Sequence, residues 1–173
     1  MKLNAKQLRV SRPSEEELAK IQRKPIYFVL DNVLDTYNIG SIFRLADAVA
    51  ARSVILCGVS EMPPSSRIHK AAVGTEEWVP WRYFASAKEA LEKLRIENGE
   101  LRIVAVEQSE KAIRFADLRL DIPVAIVVGH ETEGISKEVL DMADVIVEIP
   151  MYGVNKSLNV HVSLAIVIYK LLM

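Results

Sequence analysis

Apolar residues in this chain are concentrated in short, nearly unbroken runs, separated by segments in which apolar positions follow a helical spacing. Short runs that are rich in β-branched residues are typical of strands. Strands without polar alternation are buried on both faces, as in a parallel sheet covered by helices. The pattern therefore predicts an α/β fold with strands over residues 26–31, 53–57, 101–107, 123–129 and 144–150.

The segments between these runs predict helices. Ser14 to Glu17 has the capping-box pattern S-x-x-E, which starts a short helix that Pro25 should end. The spacing of apolar positions predicts four further helices, over residues 39–50, 68–72, 86–97 and 136–142. Strands and helices alternate along the chain without an internal repeat or linker, so we expect one compact domain.

The last 25 residues, IPMYGVNKSLNVHVSLAIVIYKLLM, pass from a strand into a loop and then into a helix with almost no polar face. A helix that is apolar nearly all round is covered on all sides. In a short chain, the cover beyond its own sheet is expected to be a second subunit. Ser157 is placed to cap this helix. Asn159 would then fall one turn inside it, where an amide is an indifferent helix former.

Composition narrows the class of protein. The chain has 173 residues, of which 50% are hydrophobic, with one cysteine and three histidines. One cysteine excludes an internal disulfide, and no clustered zinc spacing is present, so we expect no metal centre. No apolar run approaches the ~20 residues that a membrane span requires. The N-terminal segment also lacks the apolar region of a signal peptide, so we expect a cytoplasmic protein that makes no membrane contact.

The charge of the chain is unevenly distributed. The net charge of −1 weighs lightly against a nucleic-acid-binding protein. Residues 1–24, however, hold seven Lys or Arg against three Glu, which gives this segment +4 and leaves about −5 on the remainder. We therefore treat residues 1–24 as a short basic helical extension. It is either an electrostatic contact for phosphates or a solvated helix.

Ligands of open parallel sheets lie beyond the carboxyl ends of the strands, and the loop after the first strand carries unusual polar residues. Asn38, Gly40 and Arg44 form an N-x-G-x-x-x-R pattern that passes from loop into helix. Asn38 is either the helix N-cap or part of a site. Arg44 either pairs with Asp47 on a solvated face or points into a site or an interface, as its largely apolar neighbours favour.

The loop after the strand over residues 123–129 reads G-H-E-T-E-G. It is not a phosphate-binding P-loop, because no lysine follows the second glycine, and the chain has no G-x-G-x-x-G pattern. A Rossmann-type oxidoreductase therefore lacks its fingerprint. Glycines after a buried strand still let a ligand approach the backbone closely. Glu131 suits a cation or a hydroxyl better than a phosphate, and the alternative for it is a solvated loop position.

Three motifs in order, N-x-G-x-x-x-R, G-x-E-x-x-G and I-P-M-x-G-x-x-x-S-L-N-V, resemble those of the SpoU/TrmH group of SPOUT RNA ribose methyltransferases. The resemblance covers residues 25–173 and leaves out the basic extension. It implies an S-adenosylmethionine-dependent enzyme that methylates a ribose 2′-hydroxyl of RNA. It also implies a parallel α/β sheet with a deep C-terminal trefoil knot, and a homodimer that associates through the C-terminal helix and the knot region.

The resemblance also assigns roles to residues. The positions that hold the cofactor, largely through backbone groups, correspond to Gly129, Ile149 and Leu158. The polar catalytic cluster corresponds to Asn38, Arg44, Glu131, Ser157 and Asn159. Two departures from the family pattern are His130 with Thr132 in the second motif and His161 in the third, where a small residue is common.

The resemblance often implies a general-base role for the position of Arg44, but the pKa of arginine, above about 12, makes a neutral guanidine costly. We therefore favour Arg44 as a clamp on a neighbouring phosphate that also stabilises the developing alkoxide. Among substrates we favour tRNA, because the chain is small and has no large appended RNA-binding domain. An rRNA methyltransferase and a knotted RNA- or cofactor-binding dimer without chemistry are the alternatives, and the intact polar cluster argues against the second.

Overall fold

The computed structural model describes residues 12–173 and contains a seven-stranded sheet with the order β3-β2-β1-β6-β4-β7-β5. All neighbouring strands are parallel, so the predicted parallel sheet is confirmed. The strands are β1 Lys24–Asp31, β2 Ala51–Cys57, β3 Trp81–Phe84, β4 Arg102–Val106, β5 Ile113–Arg114, β6 Val124–Gly129 and β7 Val145–Glu148.

Helices cover both faces of the sheet. They are α1 Glu15–Ala19, α2 Thr36–Ala48, α3 Ser66–Ala72, α4 Ala87–Glu97, α5 Lys137–Met142 and α6 Val160–Leu172, with short 3-10 turns at Thr75–Glu77 and Phe115–Asp117. One apolar layer lies between the sheet and α2, α3 and α6, and the second lies between the sheet and α4 and α5. Phe28 of β1 enters the first layer and Val29 the second. This two-sided burial is the reason why the central strands lack polar alternation.

The central strand β1 sets the edge at which the loops meet. It pairs with β2 on one side and β6 on the other, and its residues from Ile26 to Asp31 are buried. At its carboxyl end Asp31 stands opposite Cys57 of β2 and Gly129 of β6. The three strands therefore end level with one another, and the loops that follow β1 and β6 are brought together.

Two strands were not predicted from the sequence. β3 and β5 lie at the two edges of the sheet, and β5 has only two residues, both exposed. An edge strand has fewer neighbours to bury it, so it lacks the unbroken apolar run that identified the central strands.

The start of the chain also differs from the prediction. The capping box is confirmed, since the Ser14 hydroxyl accepts the Glu17 amide at 3.2 Å and the Glu17 carboxylate accepts the Ser14 amide at 2.8 Å. The helix ends at Ala19, however, well before Pro25. Pro25 is instead the second residue of β1. The pairing of β1 with β2 is irregular between Lys24 and Tyr27, so the missing amide of Pro25 is tolerated there.

The basic extension is partly tied to the body of the protein. Arg23 donates from its guanidinium to the carbonyl oxygens of Ala51 and Trp78, each at 3.1 Å, and burial lowers the pKa of Arg23. Arg12 pairs with Glu77 at 2.6 Å. Three further basic residues, Lys2, Lys6 and Arg9, lie outside the described residues, and a role for them in binding phosphates stays a prediction.

The cap of the last helix is one correction to the sequence analysis. Helix α6 begins at Val160, and Asn159 is its N-cap, with its side-chain oxygen accepting the His161 amide at 3.3 Å. Ser157 lies in the preceding loop. The expectation that Ser157 caps the helix and Asn159 falls inside it is therefore wrong. Short polar side chains such as these are near-equal caps, so local backbone geometry decides which one is used.

Helix α6 is buried on one side only. Leu164, Val167 and Ile168 are buried, whereas Val162 and Tyr169 are 36% and 48% exposed. The expectation that this helix is covered on all sides is thus not met within a single chain. Across residues 12–173 no helix combines the length and apolar character needed to cross a bilayer.

The glycine of the first motif has a packing role. A Cβ atom on Gly40 of α2 would lie 2.5 Å from Ala71 Cβ and 2.7 Å from the Ile68 carbonyl oxygen. Gly40 therefore permits the close approach of α2 and α3.

We predict that Gly40→Ala lowers the free energy of unfolding by about 1–3 kcal/mol, because overpacking outweighs the ~1 kcal/mol gain in helix propensity. Thermal unfolding would show a fall in Tm of several degrees, at about 2–4 °C per kcal/mol. The matched control is Gly99→Ala, since a Cβ at Gly99 meets no atom within 4 Å. Equal Tm values for the two variants would contradict the packing role.

Candidate functional site

A pocket opens beyond the carboxyl ends of β4, β6 and β7, on the edge of the sheet where the sequence analysis expected a ligand. Its walls are the ends of these strands and the loop that leads into α6. The lining residues are Val106–Gln108, Val128–Thr132, Gly134, Val147–Ile149, Met151, Ser157, Leu158, Val160 and Ser163. The pocket thus brings together all three positions assigned to the cofactor, together with two of the catalytic cluster.

The loop after β6 folds back on itself. His130 and Gly134 exchange two backbone hydrogen bonds, at 3.1 and 2.9 Å. Gly134 has a φ of 73°, and a Cβ on Gly129 would collide with the backbone of Gly134. Both glycines of the second motif are therefore required to close this turn. His130 Nδ1 accepts the amides of Thr132 and Glu133 at 3.0 and 3.2 Å, so this ring stabilises the turn.

Two carboxylates, from the strands on either side of β6, hold the far end of this loop. Asp31, which is 2% exposed at the end of β1, accepts the Ser136 amide at 2.8 Å. Glu107, just beyond β4, accepts the Ile135 amide at 3.0 Å. Sequence reasoning missed both residues. Each directly ends an apolar run, which is the position that the rule for parallel sheets marks for inspection.

Glu131 extends the connection to helix α2. Its carboxylate accepts the backbone amides of Leu34 and Asp35 and the side-chain amide of Asn38, each at 3.0 Å. Burial alone would raise the pKa of Glu131, but these three hydrogen bonds together lower it. Glu131 is therefore a charged, acceptor-only group at neutral pH.

Asn38 is a buried link rather than a cap. The N-cap of α2 is Asp35, whose side chain accepts the Tyr37 amide at 2.8 Å. Asn38 is 2% exposed, donates to Glu131 and places its oxygen 3.1 Å from His161 Nδ1. The interpretation of Asn38 as the helix N-cap is thus wrong. Its side chain joins α2 to both α6 and the loop after β6.

Arg44 lies apart from these residues. It is six positions beyond Asn38 on α2, about 120° away around the helix axis, and its side chain is exposed beside α1. Among residues 12–173 it has no hydrogen bond or ion pair. Asp47, the partner considered from the sequence, instead accepts the indole N–H of Trp78 at 2.8 Å.

A group of possible metal ligands lies outside the pocket. Within the described part of the chain, His69, Glu76 and Glu77 form the one set of three such side chains, with ligand atoms within 4.8 Å of one another. His69 Nδ1 is already bonded to Glu76 at 2.5 Å, and the guanidinium of Arg12 contacts Glu77 at 2.6 Å. The positive charge of this guanidinium disfavours a cation at the same place. The expectation that the protein has no metal centre stays a prediction.

The chain matches the SpoU rRNA Methylase family over residues 25–169. It is 29% identical over 158 residues to the tRNA (guanosine(18)-2′-O)-methyltransferase of Borreliella burgdorferi, covering 91% of this chain and 71% of the relative. It is 31% identical over 156 residues to the 23S rRNA (guanosine-2′-O-)-methyltransferase RlmB of Ralstonia nicotianae, covering 90% of this chain and 61% of the relative. The chain therefore belongs to the SpoU methylase family, as the three motifs predicted.

Solved structures agree with this assignment. The Aquifex aeolicus TrmH/SpoU tRNA modifying enzyme superposes with a TM-score of 0.76 at 28% identity, covering 96% of this chain and 79% of that one. An AdoMet-bound rRNA methyltransferase from Sinorhizobium meliloti gives 0.76 at 26% identity, covering 87% and 56%. The chain thus spans less than two thirds of the length of some relatives and more than two thirds of others.

We predict that Glu131→Gln lowers the free energy of unfolding by about 1 kcal/mol at neutral pH, allowing for screening of this exposed carboxylate. Because the folded pKa is lowered, the contribution of Glu131 is full above its ordinary value of 4.5 and is lost as the pH falls through the folded pKa. The Tm difference between the native protein and the variant should therefore shrink between about pH 6 and about pH 3.

Glu133→Gln is the matched control, because the exposed Glu133 side chain makes no hydrogen bond to residues 12–173. It should change Tm little at any pH. A Tm difference for Glu131→Gln that does not depend on pH would contradict the assigned ionisation.

Proposed function

We propose that this chain transfers the methyl group of S-adenosylmethionine to a ribose 2′-hydroxyl of tRNA in the cytoplasm, acting as a homodimer of knotted subunits. The observation that carries the proposal is the pocket at the carboxyl edge of the sheet. It combines residues from the second and third motifs of a family whose relatives are named tRNA and rRNA 2′-O-methyltransferases.

The pocket fits the chemistry of this cofactor. Its lining includes Glu107, Glu131 and Glu148 and, among the described residues, neither Lys nor Arg. Such a lining disfavours a polyphosphate and favours a cationic sulfonium. Gly129, Ile149 and Leu158 would hold the cofactor through their backbone groups. When bound, the cofactor supplies an electrophilic methyl group with a neutral thioether as the leaving group.

The polar cluster of this chain would orient the ribose. Glu131 already accepts three N–H donors, so it serves as a fixed negative charge that keeps the pocket wall in place. Ser157 lines the pocket, and Asn159 ends the same loop as the cap of α6. These two side chains would hold the ribose so that its 2′-oxygen faces the methyl group, while the proton of the hydroxyl leaves to solvent.

Arg44 supplies the electrostatic part of the mechanism. Its exposed guanidinium has no partner among residues 12–173, which leaves its planar fork free for an RNA phosphate. A clamped phosphate fixes the neighbouring ribose. Because Arg44 lies outside the pocket lining, its charge acts on the phosphate rather than on the developing alkoxide.

The order of strands supports the knot. The chain leaves β7, which lies between β4 and β5, and returns so that α6 packs on β4, β6 and α2. On the way, the Gln108 side chain donates to the carbonyl oxygen of Lys156, which ties the returning loop to the end of β4. Passage of the C-terminal segment through loops from earlier in the chain would complete the trefoil crossing that we propose.

The exposed apolar surface supports the homodimer. Tyr152 and Val154 of the returning loop are 86% and 99% exposed, and α6 leaves Val162 and Tyr169 partly uncovered. Exposed apolar side chains of this kind support an association surface. A second copy of the chain would provide the cover that the sequence analysis expected for α6.

The test is methyl transfer from labelled S-adenosylmethionine to unmodified total tRNA and, separately, to rRNA, with digestion to nucleosides and mass spectrometry. We expect a 2′-O-methylated nucleoside in the tRNA fraction. A product in rRNA alone would establish the rRNA alternative. Cofactor binding without transfer to either RNA would overturn the proposal in favour of a non-catalytic binding module.

We predict that Arg44→Lys lowers kcat by about 10²-fold, because an ammonium cannot reproduce the planar fork at the phosphate. Affinity for S-adenosylmethionine should be unchanged, since Arg44 is outside the pocket lining. Arg52→Lys is the control, as Arg52 is an exposed arginine at the amino end of β2. Turnover of Arg44→Lys close to that of the control would refute the clamp.

A further inference from the structure

His161 lies in the first turn of α6 and contacts the polar cluster from a position where the family pattern commonly has a small residue. Its Nδ1 atom is 3.1 Å from Asn38 Oδ1, and its ring meets the ring of Tyr37 edge-on at 5.7 Å.

The neighbouring groups determine where the proton of His161 lies. The Glu131 carboxylate can only accept, so the Asn38 amide must turn its NH₂ group toward it, at 3.0 Å. The Asn38 oxygen then faces His161 and also can only accept. His161 Nδ1 must therefore carry the hydrogen, and in the neutral ring Nε2 is unprotonated.

The surroundings of the ring favour its neutral form. Burial lowers the pKa of His161, and the charge of Asp35 opposes that effect. The side chains that face the ring come from the start of α2, namely Asp35, Tyr37 and Asn38, with Glu131 behind Asn38. The hydrogen bond from Nδ1 to Asn38 persists in either protonation state of the ring.

We propose that His161 is a positioning residue for the methyl transfer, fixing the Asn38 amide in the one orientation that holds Glu131. The inference rests on the proposed function. The series His161, Asn38, Glu131 connects three segments: the start of α6, the first turn of α2 and the loop after β6. Two of these segments form walls of the pocket, through Val160 of α6 and His130 of the loop after β6.

Burial of Asn38 makes its hydrogen bond to His161 important for stability. An amide that is 2% exposed is shielded from bulk water, so its hydrogen bonds must come largely from the protein. Without a donor at His161 Nδ1, the Asn38 oxygen has no partner, and rotation of the amide would place that oxygen against the Glu131 carboxylate. The connection between α6 and the loop after β6 is then lost, and the pocket walls can move relative to each other.

Three variants separate the two ring nitrogens. In His161→Asn the side-chain NH₂ falls near the place of Nδ1, whereas in His161→Gln it falls near the place of Nε2, and His161→Ala removes both. We expect kcat within about 3-fold of native for His161→Asn, and a loss of at least about 10-fold, equivalent to ~1.4 kcal/mol, for the other two. Far-ultraviolet circular dichroism and Tm values establish that all three are folded.

The opposite order, with His161→Gln active and His161→Asn inactive, would overturn the proposal, because it would assign the role to a hydrogen bond at Nε2 instead of Nδ1. Near-native kcat in His161→Ala would also overturn it. If the native protein methylates neither tRNA nor rRNA, the proposed function fails instead, and the positioning role fails with it.

A second measurement does not depend on activity. ¹⁵N–¹H correlation spectra of the imidazole in the full-length native protein distinguish the two neutral tautomers. We expect the Nδ1–H form for His161 in the native protein. The chemical shifts of the Asn38 side-chain NH₂ group should change in His161→Gln and stay close to the native values in His161→Asn. Observation of the Nε2–H tautomer in the native protein would overturn the proposal even if the enzyme is active.

Discussion

The pocket depends on how the chain satisfies the backbone amides of the loop that follows β6. Parallel strands end level with one another at one edge, so amides that leave the sheet there need new acceptors. Asp31 and Glu107 provide two of these acceptors from the ends of β1 and β4. Glu131, which belongs to the loop itself, reaches the amides that open α2. Carboxylates are strong acceptors for such amides, so one set of acidic residues both shapes the pocket and makes it negative.

Helix α2 makes two separate contacts that determine the geometry of the polar cluster. Gly40 faces α3 and sets the distance between the two helices, while Asn38 faces the loop after β6 and α6. A small change in the packing of α2 on α3 would therefore move Asn38 relative to Glu131. The first motif thus contains Gly40, which sets the position of α2, and Asn38, whose hydrogen bonds depend on that position.

The sequence predicted those parts of the fold and site that depend on burial or on residue order. Central strands such as β1 were predicted because burial on both faces leaves an unbroken apolar run, whereas the short edge strand β5 has no such pattern. The caps Asp35 and Asn159 were missed because Asp, Asn and Ser are near-equal caps and backbone geometry selects among them. Asp31 is a single acid at a strand end, and only the fold shows which amide it serves.

The residues assigned to catalysis differ in how much structure they support. Asn38 and Glu131 make hydrogen bonds that hold two segments together, and Asn159 caps α6, so the loss of any of them affects shape as well as chemistry. Arg44 has no such bond to the described residues, and its guanidinium faces solvent. An arginine carries considerable side-chain entropy, which a folded chain gains nothing by restricting here. No residue among 12–173 binds this planar cation, so it is available for an RNA phosphate, as the proposed clamp requires.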